Sequence, residues 1–192
     1  MPVRLDTGEW RDRGSIGAGP LDAVASAVLV LVCPDRDPAD RTAQAEVVLI
    51  ERVDRGGHHS GEISFPGGRA EPREDPTTTA LREAAEEVGL DPRGAGVRVI
   101  GELAPFWIPV SNFRVHPVLA VAGRQPLLDP SADEVASIVH APVDAFLPDA
   151  PIEVVETTVR GMALRYGAYP IAGHRVWGAT ARVLGQLGAL LG

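Results

Sequence analysis

Residues 75–89 carry helix start and stop signals that agree with each other, and they constrain what can be built around them. Asp75 is a good capping residue, Pro76 suits the first helical position, and Gly89 suits a left-handed exit. At about 100° per residue, Ala80, Leu81, Ala84, Ala85 and Val88 form one arc, the face expected to pack on a sheet. Glu83, Glu86 and Glu87 are read as the adjacent arc, with Glu83 and Glu87 one turn apart. Like charges at this spacing destabilise a helix unless something offsets them. A divalent cation is a natural offset, because hard carboxylate oxygens suit Mg²⁺ or Mn²⁺. Arg82 lies four residues before Glu86 and can orient it, while Glu74 can hold Arg82 or join the outer shell of a metal. A solvated, charged helix face has the same pattern, so the wheel alone leaves both readings open.

The rest of the chain reads mainly as strands. Val24–Cys33 is an apolar, β-branched run expected to form a buried strand, and it is too short to span a bilayer. Further strands are expected at Glu46–Arg52 and over 97–104, 114–122 and 135–141, with a short extended piece at 62–65. Pro66-Gly67-Gly68 is expected to break the chain. Segments 152–159 and 162–166 suit a hairpin across Arg160-Gly161, and 177–191 is apolar at helical spacing. Residues 1–20 are Gly-rich and charged and read as an irregular N-terminal arm, leaving 21–192 as a single domain. Strands outnumber helices, so the expected class is α+β.

Composition excludes some functions. Of 192 residues, 45% are apolar and 23% charged, which is ordinary for a globular protein. The net charge of −8 and the lack of a Lys/Arg run argue against a nucleic-acid partner. No membrane segment is expected. The one cysteine, Cys33, ends an apolar run and reads as a small buried hydrophobe. With no intramolecular disulfide available and no basic-then-apolar leader pattern, a cytoplasmic location is expected.

A longer pattern surrounds the helix. Gly68 is followed after five residues by Glu74, after seven more by Arg82-Glu83, and then by Ala84-Ala85-Glu86-Glu87-Val88-Gly89-Leu90. This resembles the box of the Nudix hydrolase superfamily. The resemblance implies an α/β/α sandwich around a mixed β-sheet, with the box as a loop–helix–loop. It also implies that Glu83, Glu86 and Glu87 bind the catalytic metals, often with the Gly67 carbonyl, while Arg82 and Glu74 brace the loop. Glu134 opens a strand after a loop; it is a candidate proton acceptor from outside the box, or a capping or surface glutamate.

Upstream, Arg52, His59, Gly61 and Phe65-Pro66-Gly67-Gly68 match in spacing the signature of the coenzyme A pyrophosphatase branch, although Gly56-Gly57 stands where that branch has Leu-Arg. Arg55 is a candidate substitute for the missing Arg. Residues 109–118 and 174–181 resemble the same branch. The implied substrate is a small-molecule nucleotide, coenzyme A or a derivative, cut to 3′,5′-ADP and 4′-phosphopantetheine. Arg52, His59, Gly61 and Phe65 are the implied substrate-binding residues. Phe65 and Trp107 are candidates for a base or pantetheine pocket or for core packing, and Trp177 is expected to pack, with Gly178 allowing close approach. Alternatives are a relative acting on ADP-ribose, dinucleotides or nucleoside triphosphates, and a catalytically silent nucleotide sensor. The oligomeric state is left open, a homodimer among the options.

Overall fold

The computed structural model describes residues 3–4, 19–34, 45–54, 62–159 and 162–192. The elements run β1 (Val3–Arg4), β2 (Val24–Cys33), β3 (Glu46–Arg52), β4 (Ile63–Ser64), β5 (Gly67–Arg69) and α1 (Pro76–Val88). There follow β6 (Arg98–Glu102), β7 (Phe106–Ile108), β8 (Phe113–Val121), β9 (Val135–Pro142), a 3₁₀ turn (Val143–Phe146), β10 (Glu153–Val159), β11 (Met162–Ile171), β12 (His174–Val176) and α2 (Gly178–Leu191).

β2 is the hub of a mixed sheet. It pairs in parallel with β8, from Val24 opposite Phe113 to Val32 opposite Val121. Its other edge pairs antiparallel with β5 at the start and with β3 at the end. β3 carries β4 and β9, and β8 carries β6 and β7. A strand paired in parallel and covered on both faces should be apolar almost throughout, as β2 is. Its alternating side chains feed two cores. Leu29 and Leu31 pack with Ala80, Ala84 and Val88 of α1. Val30 packs with Val183, Leu184 and Leu187 of α2 on the opposite face. The result is the expected sandwich of a mixed sheet between helices.

Helix α1 has the bounds that its caps predict. Asp75 accepts a hydrogen bond from Thr78 N at 2.7 Å, and Gly89 exits at φ 63°. The wheel needs one correction. Ala85 is exposed, whereas Thr79 and Glu87 are buried beside Ala80, Ala84 and Val88. Glu87 projects only about 20° from Ala80 around the axis, so it belongs to the buried face and not to the arc beside it.

Pro66-Gly67-Gly68 does not break the chain. Leu29 N donates to Pro66 O at 2.8 Å, and Gly67–Arg69 forms β5 against β2. Gly67 adopts φ 153°, and a Cβ there would overlap Ala27 O and lie 2.6 Å from Val28 Cα. Only glycine permits this approach of two backbones.

A second, smaller sheet places β11 between β10 and β1, with β12 on its C-terminal part. The expected hairpin is therefore present, and Val3–Arg4, within the stretch expected to be irregular, joins it. β7 and β12 lie outside the strands expected from sequence.

Helix α2 lies tight on the 3₁₀ turn: a Cβ on Gly188 would overlap Phe146 O. Gly188→Ala gains about 1 kcal/mol of helix propensity, but the collision outweighs it. A net loss of about 1–3 kcal/mol is expected in urea unfolding.

Candidate active site

Arg82 gathers the polar residues at the start of α1. Its Nε donates to Glu74 Oε1 at 2.8 Å and its Nη2 to Glu74 Oε2 at 3.1 Å, a two-point grip. Nη1 donates at 3.0 Å to both Glu83 Oε1 and Glu86 Oε2, and Nη2 also reaches Arg69 O at 3.1 Å. Glu74 in turn accepts from Glu71 N at 3.0 Å and from Thr79 Oγ1 at 2.9 Å. The Arg82 bonds, followed by that of Glu71 N, hold the Glu74 carboxyl down at about 2. Arg82 is stabilised in its charged form by the same contacts.

Glu87 has a different environment. Its side chain is 1% exposed. Oε2 accepts from Gly67 N at 2.8 Å. Oε1 faces Arg52 Nη2 at 3.1 Å but accepts no hydrogen bond. Burial pushes the Glu87 carboxyl up to about 7, with Gly67 N–H and Arg52 opposing. Burial also raises Glu83, against the pull of Arg82. Glu134 reaches this region because Val53 N donates to its carbonyl at 3.0 Å, and its charge adds to the upward shift of both Glu83 and Glu87. Gly68 leaves room for the cluster, since a Cβ there would stand 2.6 Å from the Glu83 carboxylate.

The structure thus brings together Glu74, Arg82, Glu83 and Glu86 around one guanidinium, and Arg52 with Glu87 beside them. Among the described residues, no three acidic, His or Cys side chains already converge as a cage, because Arg82 draws Glu83 and Glu86 while Gly67 and Arg52 draw Glu87. The donor set nevertheless fits a hard cation: it is all carboxylate oxygen, with one buried oxygen, Glu87 Oε1, that accepts no hydrogen bond. His59 and Gly61, with Arg55, lie outside the described residues.

A cavity of about 490 Å³ opens beside Arg52, Gly67 and Gly68, and Phe65 lines it. Trp107 does not; its Nε1 donates to Asn112 Oδ1 at 3.0 Å, and its ring leaves no space for a side chain at Gly19. Phe106 and Trp177 line the cavity instead, and sequence reasoning missed both in this role. Trp177 stacks on Tyr166 at 5.0 Å between centroids yet stays 43% exposed. Gly178 has open space where a Cβ would be, so close approach is not its reason; it adopts φ 66°, which favours glycine.

The chain matches the NUDIX domain family over residues 25–156. It belongs to the Nudix family. Among its relatives is Nudix hydrolase 22, chloroplastic, of Arabidopsis thaliana, 35% identical over 72% of this chain and 47% of that one. A second is the uncharacterised Nudix hydrolase NudL of Citrobacter koseri, 30% identical over 94% of this chain and 89% of that one. The chain thus spans about half the length of the plant relative and most of the bacterial one. A crystal structure of a NUDIX-family hydrolase from Clostridium perfringens shares the fold, with TM-score 0.54 at 15% identity, covering 90% of this chain and 100% of that one. In this Nudix chain the described helices include none long and apolar enough to cross a membrane.

The lowered Glu74 carboxyl makes stability depend on pH. Its folded value, about 2, lies below the ordinary glutamate value of 4.5. Its contribution to stability is therefore complete above the unfolded value and is lost as pH falls through the folded one. Wild type should melt higher than Glu74→Gln near neutrality, and that gap should narrow as pH falls from 4.5 toward 2. Thermal melts across this range check it.

Proposed function

We propose that this chain is a metal-dependent pyrophosphohydrolase whose substrate is coenzyme A or a derivative, with 3′,5′-ADP and 4′-phosphopantetheine as products. The observation that carries this reading is the placement of Glu83 and Glu87 against Gly67-Gly68, with Arg52 beside them and a ligand-sized cavity. Glu83, Glu86 and Glu87 are the residues that would hold Mg²⁺ or Mn²⁺. Such an ion neutralises diphosphate charge, lowers the pKa of a bound water and steadies the leaving oxygen.

The chain's own groups have separable roles. Arg82 and Glu74 fix the loop and hold Glu83 and Glu86 in position. Gly67 N–H sets the direction of the Glu87 carboxylate. Arg52, half-exposed at the cavity, pairs with a substrate phosphate as well as with Glu87. Glu134 stands outside the helix but within the same field, and it is the carboxylate we place to accept a proton from the attacking water. Phe65 forms part of the cavity wall. Support for the coenzyme A branch comes from the spacing of Arg52 and Phe65-Pro66-Gly67-Gly68, of which Arg52, Phe65, Gly67 and Gly68 line one cavity. Gly56-Gly57 in place of Leu-Arg favours testing ADP-ribose beside it.

Coenzyme A and ADP-ribose are to be compared with Mg²⁺ and with Mn²⁺, identifying the products. Release of 4′-phosphopantetheine much faster than turnover of ADP-ribose is expected; the reverse ranking transfers the proposal to the second substrate. Binding without turnover of either would assign the chain to the silent sensors. Glu83→Gln or Glu87→Gln should lower turnover by orders of magnitude with little change in the circular dichroism spectrum. Near-normal rates in those variants would remove them as ligands.

A further inference from the structure

The cavity beside the carboxylates has walls made largely of hydrocarbon, which restricts what can fill it. Its volume of about 490 Å³ is ordinary for a small-molecule site. Arg52, Glu62, Gly67 and Gly68 give part of its border polar character. Most of the remaining wall is apolar, with Ile63, Phe65, Phe106, Ile108, Phe113 and Val183 between the sheet and the first turns of α2. Two hydroxyls on its wall are already engaged: Ser26 Oγ donates to Arg114 O at 3.1 Å, and Thr180 Oγ1 to Ile63 O at 2.9 Å. A third, Ser64 Oγ, is sealed from the surface without a hydrogen-bond partner, and the half-buried Ser111 and Glu62 complete the polar side chains of the lining beside Arg52.

Two kinds of arm behave oppositely in such a space. Each hydroxyl of a sugar gives up hydrogen bonds to water and needs a replacement. The described walls offer few. Each methylene of a chain gains by leaving water, with no partner required. Ile108 and Phe113 are paired across β7 and β8, are only half-buried, and both line the cavity. Ile63, Phe65 and Phe106 are sealed further into the core.

We propose that this cavity receives the non-nucleotide arm of the diphosphate and selects an alkyl or acyl-bearing arm over a sugar, with Ile108 and Phe113 determining that preference. The proposal rests on α1 being the centre that cuts a diphosphate, as read above, but not on coenzyme A being the substrate.

The test uses the β-alkyl esters of ADP and of 3′-phospho-ADP carrying methyl, butyl and octyl groups. In each, water adds to one phosphorus and the bridging P–O bond breaks, leaving a nucleoside phosphate and an alkyl phosphate. For wild type, kcat/KM should climb by roughly two- to fourfold per methylene, mainly through KM. The octyl ester should surpass ADP-ribose. Ile108→Asn should flatten the octyl-to-methyl ratio measured within that variant, and the milder Ile108→Thr should flatten it partly. If Ile108→Asn does not fold, the wild-type series and Ile108→Thr still decide. A flat series, a preference for ADP-ribose, or no cleavage of any ester overturns the proposal. Coenzyme A left intact while octyl esters are cut removes the substrate proposed above and upholds the cavity assignment. Coenzyme A cut beside a flat series does the reverse.

Discussion

Arg82 touches the loop before α1, two carboxylates on α1 and the backbone at the end of β5, and the polar half of the site depends on that single guanidinium. Its planar fork is suited to making these contacts at once, since one edge grips Glu74 at two points while the remaining donors reach Glu83, Glu86 and Arg69 O. A lysine ammonium in its place would make a point contact with one or two of these groups. Glu83 and Glu86, three residues apart on the helix, repel each other, and Arg82 bridges them. The residues are partly exposed, so the network matters for position more than for gross stability.

The other half depends on burial. Glu87 sits in the face of α1 that packs on the sheet, where an ionised carboxylate is costly unless matched. Gly67 N–H and Arg52 supply part of the match. That N–H is available because β5 presses its backbone onto β2 at a position where no side chain fits. The same backbone contact thus places Glu87, borders the cavity and closes the sheet beside α1. The sheet prevents this partly compensated carboxylate from turning away to water.

Local chemistry explains which parts of this were legible in sequence. The bounds of α1 were, because Asp75, Pro76 and Gly89 act within their own turn. Strands β2, β3, β8 and β9 were, because their apolar runs are long. β5 was not: a Gly-Gly pair reads as a break unless the distant strand that it pairs with is known. On the wheel Glu87 lies near Ala80, yet its charge groups it with the polar side when the sequence alone is read. Arg52 and Phe65 came from spacing within a resemblance, and both border the cavity. Phe106 and Trp177 could not be assigned from sequence, since what they face depends on how β7 and the second sheet meet α2. Gly178 is required by its backbone angle, which the sequence does not display.

The pairing of β2 with β8 has a consequence for how the molecule comes into being. Val24 lies opposite Phe113, and the whole of α1 falls between the two strands along the chain. Contacts this distant in sequence are slow to form, because loop closure must precede any gain from them. During synthesis, helix α1 therefore leaves the ribosome before β8 can pair with β2. Until β8 has been made, its small apolar stripe lacks its final seat, and a nascent chain stopped short of that strand is one that chaperones and proteases would meet in an open form.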